Sequence, residues 1–179
     1  QLDQFEKLYQ FVTAQEVIQA LQDDYSLPSN ACWLTFDDGY MDHYETVFPI
    51  LIDRGIQGTF FPPTAAVIDR SVLDMNKIQF LLAIEQDPKD IVTEIKEHLL
   101  VNEMNYGLSG FDEYWGRWAK PNRFGDSAEV TFTKRMLQAV LPQDMRQKLI
   151  GQLFQKYVSV DETDFSDRLY MTPAHLREM

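Results

Sequence analysis

The apolar run at residues 31–34, followed by TFDDG at residues 35–39, constrains the fold of this chain more than any other segment. The run predicts a buried strand, Gly39 predicts a turn, and a helical pattern begins at Met41. Asp37 and Asp38 therefore lie at the carboxyl end of a core strand, the edge at which α/β folds bind ligands. Adjacent side chains of a regular strand point to opposite faces, but a turn at the strand end lets both carboxylates reach one cavity. One can then bind a metal while the other accepts a proton.

A second strand follows at close range. The helical pattern runs from Met41 to about Arg54, where Gly55 fits a C-terminal cap. Pro49 inside this pattern predicts a kink or a late helix start, because proline has no N–H to donate. Residues 57–61 then predict a strand that ends at Pro62. The order of strand, helix and strand predicts a βαβ unit whose two strands are parallel.

The rest of the chain predicts mostly helices. Thr13 and Glu16 form a capping-box pattern for a helix that ends near Tyr25. Thr172 followed by proline predicts a helix start near the end of the sequence. Amphipathic helices are predicted at residues 76–85, 90–101, 132–140 and 144–157, an irregular aromatic segment at 106–124, and an acidic linker at 161–167.

Composition excludes some classes of function. The chain has 179 residues, enough for a domain with a core, and no run of 18 apolar residues that would span a membrane. Its formal net charge of −12 argues against nucleic-acid binding, because phosphate recognition needs a basic surface. The single cysteine, Cys32, rules out a disulfide framework and is expected to be a small buried apolar residue of the strand.

Three segments together resemble a known family. WLTFDDGY at residues 33–40, VFPIL at 47–51 and GTFF at 58–61 occur in the order and at the spacing of the polysaccharide deacetylases of the NodB-homology group, carbohydrate esterase family 4. The resemblance covers about residues 31–63. Residues 73–78, 134–138 and 153–158 are similar to the helical insertion of a subgroup found near surface-polysaccharide biosynthesis.

The resemblance implies an α/β fold, namely a partial NodB-like irregular (β/α) barrel with a large helical insertion. Residues 1–68 would be the N-terminal part of the deacetylase barrel, residues 69–167 the helical insertion, and residues 168–179 the start of the next barrel helix.

The resemblance also implies a metal-dependent hydrolase that removes acetyl groups from a polysaccharide or glycan precursor. Asp37 matches the general base of the family and Asp38 a ligand of its divalent metal, often zinc. Tyr40 would border the substrate groove. The implied partner is an acetylated saccharide, with no nucleic acid and no membrane insertion.

The two other metal ligands of the family, histidines four residues apart, have no counterpart here. The only histidines are His43, His98 and His175, and no two are near each other in sequence. Residues 169–179 resemble the helix that precedes the family's histidine pair. We therefore expect a truncated domain with an incomplete metal site, weak or no activity of this chain alone, and association that covers exposed sheet edges.

Alternatives remain open from the residues. Asp37 and Asp38 could cap the following helix. Asp42 and His43 are expected to be capping or solvated residues at its start, with a place for His43 in the lining of the groove as the alternative. Three aromatic residues could stack on sugar rings or pack a helical core: Tyr114, Trp115 and Trp118. A non-catalytic saccharide-binding or interaction module is the alternative function. The compartment stays open, since the lone cysteine and the subgroup favour the cytoplasm while much of the wider family is exported.

Overall fold

The computed structural model describes residues 1–22, 25–84 and 87–179, and these residues form two compact units. The first unit, Gln1–Ser71 with Thr163–Met179, contains the TFDDG segment and is called the motif unit below. The second unit, Val72–Glu162, is called the helical unit. The predicted barrel and insertion boundaries stay predictions, because compactness alone does not identify a barrel.

Four short strands of the motif unit form two parallel pairs. Strand β1 (Gln10–Phe11) pairs with β2 (Ala31–Cys32), and β3 (Leu34–Asp37) pairs with β4 (Gly58–Phe61). In the second pair Leu34 faces Gly58 and Asp37 faces Phe61, which confirms the predicted parallel βαβ unit. Trp33 interrupts the first predicted strand, and Cys32 beside it is half-buried rather than buried as expected.

The helix between β3 and β4 contains a π-helical turn. Helical structure begins at Met41, widens over His43–Val47, and continues as an α-helix over Phe48–Arg54. The wider turn precedes Pro49, which cannot donate to the preceding turn and whose ring clashes with a regular α-helical carbonyl. Gly55 ends the helix in the left-handed region at φ 63°, as the sequence predicted.

Further helices of the motif unit flank the strands. Thr13 and Glu16 form the predicted capping box, with Thr13 N donating to Glu16 Oε2 at 2.7 Å and Glu16 N to Thr13 Oγ1 at 3.2 Å. The end of this helix near Tyr25 cannot be compared, because residues 23 and 24 lie outside the described residues. The α-helices are α1 (Leu2–Leu8), α2 (Ala14–Gln22), α3 (Phe48–Arg54) and α4 (Thr64–Val67).

The helical unit is built from five α-helices and a second π-helical segment, Met136–Val140, among its described residues. The predicted helices are present, except that Glu85, the expected end of the first, lies outside the described residues. The prediction of an irregular aromatic segment at 106–124 was wrong in part, because it contains a helix. The helices are α5 (Asp74–Ala83), α6 (Pro88–Tyr106), α7 (Phe111–Trp118), α8 (Ala128–Arg135) and α9 (Gln143–Tyr157).

The core of the helical unit is a single apolar cluster. Ile78, Ile95, Phe132 and Leu149 are among its fully buried members. Tyr114, Trp115 and Trp118 are packed against it, and the Trp115 ring lies 5.0 Å from that of Phe132. These aromatic residues therefore have the packing role that was one of the two alternatives.

Two helices end the chain. Helix α10 (Glu162–Leu169) replaces the acidic linker predicted at 161–167, so that prediction was wrong. Helix α11 (Pro173–Glu178) begins at the predicted Thr172 cap, whose hydroxyl accepts from His175 N. Within the described ranges, every helix is too short or too polar to cross a membrane.

Candidate functional site

The two candidate carboxylates lie on either side of a sharp change in backbone direction. Asp37 is the last residue of β3 and is exposed, while Asp38 is half-buried. Asp38 and Gly39 both have left-handed backbones, with φ 71° and φ 68°. Such values are uncommon outside glycine, although aspartate tolerates them better than most residues. The strand alternation that would separate the two side chains therefore ends at Asp37.

Gly39 is required by the space around it as well as by its conformation. A Cβ at this position would lie 2.7 Å from Pro62 Cβ and 3.1 Å from Pro62 Cα. The Gly39 carbonyl also accepts a hydrogen bond from Met171 N at 2.8 Å. The turn is thus packed against the residue after β4 and bonded to the segment between α10 and α11.

Tyr40 lies directly against this turn. Its hydroxyl donates to Asp38 Oδ2 at 3.0 Å. Its ring stacks on that of Tyr170, with centroids 5.8 Å apart and planes at 15°, and the two residues form an antiparallel bridge. Tyr170 is only 1% exposed, so the ring that supports Tyr40 belongs to the interior of the motif unit.

His43 is a buried residue and not the capping or solvated residue that was expected. It is 9% exposed and lies among the rings of Phe36, Tyr40 and Phe60, with centroids 5.6, 5.6 and 5.9 Å away. Its Nδ1 has no hydrogen-bond partner among the described residues, and its Nε2 is 3.9 Å from Asp42 Oδ1.

Burial also determines the charge of the His43 side chain. Desolvation lowers the pKa of this imidazole below 6.5, although the negative charges of Asp42, Asp38 and Asp37 act in the opposite direction. The imidazole is therefore neutral at neutral pH and gives the turn a polar but uncharged neighbour.

An open groove runs beside Tyr40. Its volume is about 580 Å³, and three of its side chains are acidic while one is basic. Its lining residues are Tyr40, Met41, Asp42, Glu45, Asp167, Arg168 and Leu169. A groove of this size next to Tyr40 can admit a sugar ring.

The described residues do not by themselves make a metal site. No three His, Cys, Asp or Glu side chains within 1–22, 25–84 and 87–179 come together in a group that could hold a metal ion. A catalytic zinc site normally has three protein ligands. His98 belongs to the helical unit, and His175 Nδ1 accepts from Thr172 N at 3.2 Å while its ring stacks on Tyr44 at 4.4 Å. The described residues alone therefore supply too few ligands for a catalytic zinc site.

Sequence reasoning missed Tyr170, which supports Tyr40 from the far end of the chain. Nothing in its local pattern distinguishes it from any other apolar residue before a helix cap. The contact follows from tertiary structure, so a sequence signal would have required knowledge of which segment pairs with the TFDDG turn.

Part of the chain is similar to known proteins. A family model described as polysaccharide deacetylase matches residues 24–99. YxkH of Bacillus subtilis (strain 168), a curated protein with a provisional name as a polysaccharide deacetylase, is 43% identical over 54 residues, which are 30% of this chain and 19% of that protein. The chain thus matches about a fifth of the length of this relative.

No solved structure matches significantly. The matched segment contains Asp37, Asp38 and Tyr40 and confirms the recognition of a polysaccharide deacetylase over residues 24–99.

Proposed function

We propose that this chain is part of a hydrolase that removes acetyl groups from a polysaccharide or glycan precursor. The observation that carries the proposal is the position of Asp37 and Asp38 at the carboxyl end of β3, within the matched residues 24–99. The left-handed backbone of Asp38 supports it, because strained residues of this kind are concentrated at functional sites.

The two carboxylates have different proposed roles. Asp37, exposed at the strand end, is the general base that accepts a proton from the attacking water. Asp38, whose Oδ2 is held by Tyr40, is one ligand of a divalent metal, with zinc as the proposed ion. Because the described residues bring no three donors together, the other ligands have to come from outside them.

The proposed fold of the complete domain is a NodB-like irregular barrel, of which β1 to β4 form a part and into which the helical unit is inserted. The exposed rings of Trp33 and Phe61, in edge contact at 6.4 Å, lie at the β3–β4 pair. They support the proposal that a further segment or partner covers this sheet. The groove beside Tyr40 is the proposed site for an acetylated saccharide.

A non-catalytic saccharide-binding module is the second candidate. It is favoured by the donor set, since no group of three metal-binding side chains is present among the described residues. In that case the groove would bind a saccharide that the chain does not hydrolyse.

Calorimetry and an activity assay separate the two candidates. Zinc and a soluble oligomer of N-acetylglucosamine are each titrated into the chain and into the Asp38→Ala variant, and acetate release from the oligomer is measured. The deacetylase proposal expects weak acetate release that Asp37→Asn abolishes and that the exposed control Asp53→Asn does not change. Saccharide binding without acetate release, together with zinc binding that Asp38→Ala leaves unchanged, would instead support the binding module.

A further inference from the structure

The hydroxyl of Tyr40 is directed at a carboxylate. It donates to Asp38 Oδ2 at 3.0 Å, two residues away in sequence. Hydrogen bonds to a charged acceptor are about twice as strong as those between neutral groups. Asp38 is thereby restrained in direction on a turn whose backbone is already unusual at φ 71°.

The Tyr40 ring is held from two sides. Tyr170 stacks on it with planes at 15°, and the buried His43 meets it edge to face at 79° and 5.6 Å. For this ring to swing into the groove and lie on a sugar, it would have to leave both neighbours and break its bond to Asp38. The arrangement suits a ring that orients a neighbour and not one that meets a substrate face to face.

The backbone clamps the same turn. Tyr40 and Tyr170 form an antiparallel bridge, and Met171 N donates to the Gly39 carbonyl at 2.8 Å. On the other side, Gly39 packs against Pro62 without room for a side chain. A strained turn persists only where its surroundings over-determine it, and here the segment at Tyr170 and Met171 does so.

From these contacts we infer that Tyr40 is a positioning residue that aims the Asp38 carboxylate, and that Tyr170 keeps Tyr40 in place. This inference rests on the proposed role of Asp38 in the site. It assigns a role in the reaction to Tyr170, which lies outside the matched residues 24–99.

The test compares the full chain with Tyr40→Phe, which keeps the ring but removes the hydroxyl, and with Tyr170→Leu, which removes the stacked support. Tyr9→Phe is the matched control, because Tyr9 is an exposed residue of the same unit. Its hydroxyl has no hydrogen-bond partner among the described residues. The first readout is the side-chain carboxyl carbon signal of Asp38 by NMR. We expect this signal to shift in Tyr40→Phe, to broaden or shift in Tyr170→Leu, and to stay unchanged in Tyr9→Phe.

The second readout is kinetic, with a soluble oligomer of N-acetylglucosamine as the substrate. Loss of a residue that orients a catalytic or ligating group typically lowers activity about 10–100-fold. We expect this loss in kcat for Tyr40→Phe and Tyr170→Leu, with KM unchanged. A raised KM at unchanged kcat would show that Tyr40 binds the substrate and would overturn the inference.

The two readouts also separate this inference from the proposed function. An unmoved Asp38 signal in Tyr40→Phe overturns the positioning role whether or not the chain is active. A moved Asp38 signal in a chain that releases no acetate supports the orientation of Asp38 and counts against the hydrolase.

Discussion

The helical unit and the motif unit differ in how they are stabilised. The helical unit buries a continuous apolar cluster that includes Ile95 and Phe132. The motif unit buries few large side chains, notably Leu51 and Tyr170, and its strands are two to four residues long. Burial of apolar surface is the main favourable contribution to folding, so the unit with the family motif has the smaller share of it.

The difference shows in which unit the structure depends on a few specific contacts. In the helical unit the buried residues share one apolar cluster, so each of them is surrounded by others of the same kind. In the motif unit the TFDDG turn depends on a few particular ones, namely Gly39 against Pro62, Tyr40 on Tyr170, and Met171 N on the Gly39 carbonyl. Functional segments are commonly drawn from the less stable parts of a fold. Changes to the two units should therefore differ in size and in kind.

Phe132→Ala is expected to have the largest effect on stability. The Phe132 ring is fully buried and contacts Phe111 and Trp115. Its removal leaves a cavity and should lower the free energy of unfolding by about 3–5 kcal/mol. Phe124→Ala is the matched control, because that ring is 79% exposed in the same unit. Urea unfolding followed by circular dichroism measures both, and equal effects would contradict the assignment of the core.

Gly39→Ala should come next and should act through one contact. Gly39 and Gly55 both have left-handed backbones in the motif unit, but an added methyl group would meet Pro62 Cβ at 2.7 Å at Gly39 and nothing within 4 Å at Gly55. Gly55→Ala is therefore expected to cost about 1–2 kcal/mol for the backbone alone. Gly39→Ala should cost about 1–3 kcal/mol more, as overpacking does. Urea unfolding of both variants measures the energetic cost of the contact with Pro62 as the difference between them. Equal losses in the free energy of unfolding would show that Pro62 can move away.

Leu51→Ala tests how thin the core of the motif unit is. Leu51 is 3% exposed and its Cδ1 lies against Gly58. Because a small core next to open surface can relax, we expect a loss of about 2 kcal/mol, at the low end for Leu→Ala changes. The neighbouring Ile52, 59% exposed, provides the control Ile52→Ala. A loss as large as that of Phe132→Ala would remove the contrast between the two units.

The sequence predicted the parts of the fold that local patterns determine. The strands before and after α3, the cap at Gly55, the capping box at Thr13 and the helix start at Thr172 all follow from residues close together in the chain. Asp37 and Asp38 could be placed at a strand end for the same reason. Helix α7 was missed because its aromatic residues carry no strong helical preference, and α10 because its acidic composition is typical of a solvated linker.

The clamp on the TFDDG turn could not be predicted in this way. His43 has the polarity of a solvated residue, and only the folded structure shows Phe36, Tyr40 and Phe60 around it. The contact between Tyr40 and Tyr170 joins two residues that are far apart in the sequence. Contacts of this kind depend on the whole fold, and a single sequence contains no local record of them.

The smallest expected effect is a pH dependence that differs between the units. Burial lowers the pKa of His43 below 6.5, and burial together with Lys148 lowers the pKa of His98. Each histidine then binds a proton at a higher pH in the unfolded chain than in the folded chain. Its contribution to the free energy of unfolding is therefore fully present above about pH 6.5 and is lost as the pH falls below that value. His43 is the more deeply buried of the two and should contribute more to this fall. His43→Leu should therefore reduce the change of the free energy of unfolding with pH more than His98→Leu does. Urea unfolding between pH 7 and pH 5 measures this change, because that range spans the ordinary histidine pKa of about 6.5. A steeper dependence in His43→Leu would mean that His43 is charged in the folded protein, held so by Asp42 and the two carboxylates of the turn.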